Sequence, residues 1–445
     1  MSKSRYPCGG RPRPPSARRI QPPAAWGRTP RIEAGIERKT SVDLLLVNAE
    51  QVLSCVPRGG DPSGPLRGVE VAVQGETIAG VGSLPALEAA LDLSGAETLD
   101  LSGKILAPGF VDCHTHLIFG GSRAEEYGLR MTHTAAEVAA LGIPTGIPAT
   151  VEMTRGVSTE ELQSSAARRV ERMFAYGTTT VESKSGYGLS LEHEIRMLEV
   201  NRWLQSVQPV DIISTFLGAH EFPQEIPRES YLDLLVEEMI PLVAGQGLAR
   251  FCDVYCDDGY YTAEESRRIL EAGLQAGLQP KIHTDAYSQI GGAAMAAELG
   301  VVSADHLNYT TRGDMRRLAQ AEAVGVVMPG LDFCVQHPQP FDARAMLDEG
   351  MVLALATDFC PACWIESMQL VMALACRLYG FSPEEALAAA TVGGARALGL
   401  DDRGQILTGQ LADLQVWDVP SLADVIYRIG NNAVELVIKR GKVRR

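Results

Sequence analysis

Gly109-Phe-Val-Asp-Cys-His114-Thr-His116 is an apolar run that ends in two histidines one residue apart. Side chains on a strand alternate between faces, so both imidazoles leave the same side at one end. That is how a metal site begins at the mouth of a parallel barrel, where the strands' C-terminal ends carry the chemistry. Other apolar runs downstream end in the same way. The runs 212–220, 280–283, 301–306 and 352–358 close on His220, His283, His306 and Asp358, each a metal ligand or proton carrier by type. Five of the eight histidines (His114, His116, His220, His283, His306) stand at such ends, where chance would scatter them.

Between these runs lie stretches of helical period, at 159–176, 191–205, 229–244, 262–276 and 313–323. The strands expected are 109–117, 177–184, 211–219, 251–257, 279–284, 301–306, 324–329 and 351–357. Eight strands alternating with helices over roughly 250 residues predict an α/β fold, a (β/α)8 TIM barrel. A doubly wound open sheet is the rival. Against it, the first strand-to-helix turn has no G-x-G-x-x-G, and the polar residues converge from many strands. Short β runs at 42–48 and 69–81 are answered at the far end by 412–418 and 434–443. They predict a small β-sandwich domain built from both termini. The expected division is a basic tail (1–40), the sandwich's first part (41–108), the barrel (109–402) and the sandwich's second part (403–445).

Composition narrows the function classes. With 46% hydrophobic and 21% charged residues, the 445-residue chain has the make-up of an ordinary soluble protein. A net charge of −15 excludes a nucleic-acid-binding surface, and no apolar run approaches the ~20 residues of a membrane span. Nine dispersed cysteines, an odd number, fit a reducing cytoplasm better than a disulfide framework. Residues 1–40 set ten Lys and Arg against Glu33 and Glu37 and are rich in Pro and Gly, reading as a disordered basic tail or as sequence upstream of the natural start. An organelle transit peptide is the weaker reading.

His114, His116 and His283 with Asp358 make a set of three imidazoles and one carboxylate, with room left for water. Such a set suits one catalytic Zn²⁺, or iron, per chain. An ion so held brings the pKa of water from ~15.7 towards ~7. Asp358 would ligate through one oxygen and take the water's proton through the other; its bland alternative is a helix N-cap. His306 would polarise a substrate carbonyl or shuttle a proton, with a structural histidine as the alternative. Cys360-Pro-Ala-Cys363 reads as pocket lining in preference to a redox or zinc motif, since no second C-x-x-C accompanies it. The fourth strand tip carries Cys256-Asp257-Asp258, where a binuclear site would usually have a bridging Lys or Glu, so one metal is expected.

Four stretches carry a resemblance: 108–127 around His114 and Arg123, Val181-Glu-Ser-Lys-Ser-Gly-Tyr187-Gly-Leu, Phe216-Leu-Gly-Ala-His220 and Ser303-Ala-Asp-His306-Leu. From about residue 42 to the C-terminus the chain resembles the amidohydrolase superfamily and, within it, the imidazolonepropionase family. The resemblance implies a hydrolase of histidine degradation that opens a cyclic amide, 4-imidazolone-5-propanoate, with water to give N-formimidoyl-L-glutamate. It implies His114, His116, His283 and Asp358 as metal ligands and Asp358 and His306 as the catalytic pair. Arg123 and Tyr187 would grip the substrate carboxylate, and His220 would contact the ring. Partners are then a small carboxylate-bearing molecule, neither nucleic acid nor membrane, with a homodimer left open.

The chain departs from the family pattern at Ala286, where Glu or Gln is usual, at Cys360 in place of Asn, and at Ala136 in place of Tyr. A Gly-rich loop near there reads Gly142-Ile-Pro-Thr-Gly-Ile-Pro. Each lost polar group removes a hydrogen bond worth ~0.5–1.5 kcal/mol net. Three alternatives follow: a paralogue acting on a hydantoin-like ring, an aminohydrolase releasing ammonia, and a scaffold that has lost its metal.

Overall fold

The computed structural model describes residues 39–444. All but the last two residues of the expected basic tail lie outside that range. The middle of the chain forms eight parallel strands: β1 (Phe110–Asp112), β2 (Thr178–Lys184), β3 (Asp211–Ala219), β4 (Phe251–Cys256), β5 (Gln279–Thr284), β6 (Ser303–His306), β7 (Val324–Val327) and β8 (Leu353–Leu355). They hydrogen-bond in chain order from β1 to β8, as a βα barrel demands.

The helices between them begin where the sequence caps them. Ser158, Ser190 and Thr262 each accept a hydrogen bond from the backbone N–H three residues on, starting helices Thr159–Ala175, Leu191–Val207 and Ala263–Ala276. Thr262 and Glu265 complete a reciprocal capping box.

Three local differences from the sequence reading have physical causes. The stretch 229–244 forms helix Arg228–Asp233, a widened π turn over Leu234–Met239, and helix Ile240–Gly245. Pro241 has no N–H and its ring crowds the carbonyl four residues back, which accounts for the wider turn. Helices Met368–Tyr379 and Pro383–Ala388 follow β8 and went unread, because Met-Gln-Leu-Val-Met-Ala-Leu-Ala-Cys is apolar on nearly every face. The third concerns β1, whose regular ladder stops at Asp112 instead of running to residue 117.

Beyond Asp112 the chain instead closes on β8. The Asp112 carboxylate accepts from Thr357 N (3.1 Å) and Thr357 Oγ1 (2.6 Å). Asp358 N donates to His114 O (3.1 Å) and His116 N donates to Phe359 O (2.8 Å). Residues some 240 positions apart are thus held side by side.

The termini supply two further sheets, as expected. In the six-stranded one, Leu414–Trp417 pairs antiparallel with Ile105–Pro108 on one side and with Val434–Lys439 on the other. The four-stranded sheet holds Thr77–Gly82, Glu70–Gln74, Leu44–Val47 and Glu97–Asp100. Leu44, Leu46, Val71, Val73, Leu106, Leu414, Val416 and Ile438 fill one apolar core shared by the two sheets. Among the described residues, no helix is long and apolar enough to cross a membrane.

An ion cluster ties this domain to the barrel. Asp211, at the start of β3, accepts from Arg403 Nη1 (2.5 Å) and Lys439 Nζ (2.9 Å). Burial pushes its carboxyl up, but Lys439 and Arg403 outweigh that and bring it from 3.8 down to about 2. A carboxyl lowered by that much contributes about 2 kcal/mol, complete above the unfolded value and lost as pH falls through the folded one. Urea unfolding should therefore show the wild type losing about 2 kcal/mol between about pH 4 and 2 relative to Asp211→Asn. Parallel pH profiles for the two proteins would refute this.

Candidate active site

The histidine-bearing strand ends meet at the C-terminal mouth of the barrel. One donor atom each from His114, His116 and Asp358 lies within 4.8 Å of the others, and the same holds for His114, His283 and His306. Asp358 Oδ1 stands 3.7 Å from His114 Nε2 and 3.6 Å from His116 Nε2. His114 Nε2, His116 Nδ1, His283 Nε2 and Asp358 Oδ1 are buried with no hydrogen-bond partner. Unpartnered polar atoms on four clustered, buried side chains are costly unless something binds there. A divalent cation fits that donor set. The N-cap reading of Asp358 finds no support, since Ser367 caps the helix that follows.

Two carboxylates orient the imidazoles. His114 Nδ1 hydrogen-bonds Asp305 Oδ2 at 2.6 Å, and His283 Nδ1 hydrogen-bonds Asp253 Oδ1 at 3.0 Å. An ionised carboxylate only accepts, so each proton sits on Nδ1 and each Nε2 offers its lone pair to the centre. Burial, with neighbouring cationic and imidazole groups, pushes His114, His116 and His306 well below the usual imidazole value, and His220 down to about 3. Neutral imidazoles are what a metal needs. Burial pushes the Asp358 carboxyl up to about 7, against the pull of His283 and Lys184.

Beneath this layer lies a fully buried charge network that the sequence reading missed. Lys184 Nζ donates to Glu182 Oε1 and Asp253 Oδ2, both at 2.7 Å, and Lys281 Nζ stands 3.2 Å from Glu182 Oε1. Lys281 also donates to Cys113 O at 3.0 Å. The available signal was strand period: Glu182 and Lys184 alternate along β2 as Lys281 and His283 do along β5. In a closed barrel such positions face inward, where charges persist only if paired.

The remaining expected residues surround the centre. His306 and Asp358 have φ of 81° and 45°, in the left-handed region that bulky residues avoid, at the points where their strands turn into loops. His220 stacks on His116 with ring centroids 5.0 Å apart, and its Nδ1 lies 3.1 Å from Gly186 O. Gly186 has φ +107°, and a Cβ there would sit 3.0 Å from the Cβ of His220, so only glycine allows this approach. The same turn presents Tyr187, whose ring centroid is 5.2 Å from that of His220.

Arg123 differs from expectation in one respect. Its Nε and Nη2 already fork onto Glu126 at 2.6 and 2.9 Å, leaving Nη1 for any other anion. It lines a cavity of about 380 Å³ with Tyr127, Arg130, Tyr287 and Cys334. None of the four candidate ligands lines that space, so it is distinct from the centre itself.

The departures from the family pattern fall unevenly. Ala286 and Cys360 are buried, three residues past His283 and two past Asp358, whereas Ala136 sits exposed on the surface helix Ala135–Ala140. Cys360 and Cys363 hydrogen-bond each other's backbone at 3.0 Å in both directions, forming a tight turn, and both thiols are free.

A barrel with a strand-end His/Asp centre and a sandwich made from both termini defines an amidohydrolase. Residues 262–444 match the model of the Amidohydrolase family. The fold resembles an adenosine deaminase from Xanthomonas campestris with bound zinc (TM-score 0.69, 20% identity, covering 91% of this chain and 93% of that one). It also resembles an ochratoxinase from A. niger (TM-score 0.65, 18% identity, 92% and 96% covered).

Within this class the chain belongs to the imidazolonepropionase family. It is 45% identical over 355 residues to the imidazolonepropionase of Geobacillus kaustophilus, spanning 79% of this chain and 83% of that protein. It is 37% identical over 415 residues to that of Alkaliphilus metalliredigens, spanning 90% and 98%.

Proposed function

We propose that this protein hydrolyses 4-imidazolone-5-propanoate to N-formimidoyl-L-glutamate, in the cytoplasm, as a step of histidine degradation. The observation that carries the reading is the set of four orphaned donors at the barrel mouth, in a chain belonging to this family. His114, His116, His283 and Asp358 would hold one divalent ion, and a nitrogen-rich set with one carboxylate suits zinc or ferrous iron. Such an ion supplies Lewis acidity and a water of lowered pKa.

The chain's own residues do the rest. Asp358 accepts the attacking water's proton on the oxygen not turned to the centre and delivers it to the departing ring nitrogen. His306, with its lone pair and N–H beside His114 and His283, hydrogen-bonds the carbonyl oxygen as charge develops there. Arg123 Nη1 and the Tyr187 hydroxyl take the propanoate carboxylate, with Glu126 fixing the plane of the guanidinium. His220 packs against the ring.

Turnover of the purified protein on 4-imidazolone-5-propanoate, followed by loss of substrate absorbance and detection of N-formimidoyl-L-glutamate, tests the reading. Chelation should abolish turnover, and zinc or ferrous iron should restore it. Ring opening that survives complete metal removal would overturn it. A hydantoin-like ring is the second reading, favoured by Ala286 and Cys360, three residues past His283 and two past Asp358, and the same assay with that ring separates the two.

A further inference from the structure

Two buried tyrosines of this barrel use their hydroxyls within the protein: Tyr231 donates to Gly218 O (2.8 Å) and Tyr261 to Glu221 O (3.1 Å). Tyr255, near the end of β4, shares with Tyr187, read above as a substrate contact, the lack of such a partner. It is 8% exposed, yet among the described residues no group hydrogen-bonds its hydroxyl. That oxygen is also not among the sealed, unpartnered atoms, so it keeps accessible surface for a ligand.

Its ring belongs to the wall of the metal centre. The centroid lies 5.8 Å from His283, 6.1 Å from His220 and 6.3 Å from His306, with Tyr260 packed behind it at 4.1 Å. A phenol held this firmly with its polar end unsatisfied loses nothing on becoming phenylalanine, unless a ligand takes the bond.

The neighbouring loops strengthen the point. After β5 and β8 the chain buries Ala286 and Cys360, a methyl and a thiol, three residues past His283 and two past Asp358. Asp285 is occupied elsewhere, its carboxylate accepting from Thr310 Oγ1 (2.8 Å) and Thr284 Oγ1 (3.1 Å). The Tyr255 hydroxyl, in contrast, has no partner within the protein to compete with a ligand.

We propose that the Tyr255 hydroxyl is a substrate-binding group that hydrogen-bonds a heteroatom of the substrate ring, on the β4 wall, away from the carboxylate grip at Arg123 and Tyr187. The proposal deepens the assigned reaction and rests on it for the kind of ring bound. It makes Tyr255 a determinant of ring choice, independent of how the carboxylate is held.

The test uses the full-length, metal-loaded protein and Tyr255→Phe. Calorimetric affinities are measured for hydantoin-5-propanoate, which carries ring and carboxylate, and for glutarate, which carries no ring. Loss of one hydrogen bond should weaken hydantoin-5-propanoate about tenfold and leave glutarate unchanged. Metal content and Tm should match the wild type. Equal affinity of both proteins for the ring compound, an equal loss for both ligands, or no binding of the ring compound by the wild type would each overturn the proposal. Should the wild type fail to open 4-imidazolone-5-propanoate while the tenfold difference stands, the assigned reaction falls and the Tyr255 contact survives.

Discussion

Asp358→Asn should lower kcat on 4-imidazolone-5-propanoate by about 10³-fold, within the range that a positioned proton carrier supplies. Asparagine keeps the size of the side chain and an oxygen for the centre, so the substitution isolates the lost basicity. In the proposed mechanism the carboxylate has two jobs. Oδ1 lies 3.7 Å from the unpartnered His114 Nε2 and 3.6 Å from His116 Nε2, and the backbone at residue 358 is left-handed. Metal analysis of the variant distinguishes a lost proton carrier from a lost ligand. A variant with full metal content and activity within tenfold of the wild type would remove Asp358 from the chemistry.

Lys184→Met should cost about 3–5 kcal/mol of stability, the range measured when one partner of a buried charge pair is removed. Methionine replaces the aliphatic stem with little change of volume, so the loss is electrostatic. In the wild type burial pushes the ammonium towards neutrality, but Asp253, Glu182 and Asp305 outweigh it and keep it charged. Without it, three buried carboxylates face Lys281 alone. Denaturant unfolding reads the cost. Because Asp253 also orients His283, activity should fall as well, beyond what the smaller folded fraction explains. Unchanged stability in Lys184→Met would show that the network is not held by charge pairing.

The barrel was readable because its two periodicities are written into the chain. Strands of alternating or continuous apolar residues, alternating with helical stretches, several of them capped, leave few other topologies. The helices after β8 escaped because a uniformly apolar segment carries no phase. The candidate ligands were readable for a related reason. A histidine at the end of an apolar strand is a local pattern, and it is found at four strand ends.

What one-dimensional pattern could not supply is the pairing of these groups. That Asp305 belongs to His114, Asp253 to His283 and Lys184 to both Glu182 and Asp253 depends on barrel closure, which sets β2, β4, β5 and β6 around one axis. That Arg123 is already shared with Glu126, and that Tyr255 has an unsatisfied hydroxyl, depends on where loops and walls come to rest.

The sequence by itself determined the architecture and the family and singled out the four candidate donors, because periodicity and residue type are local properties that survive without coordinates. Only the tertiary structure decided which buried charges neutralise one another and which polar atoms stay open to a ligand. Those outcomes rest on distances between strands far apart in the chain, and in a low-dielectric interior an ångström of separation decides whether a charge is stable.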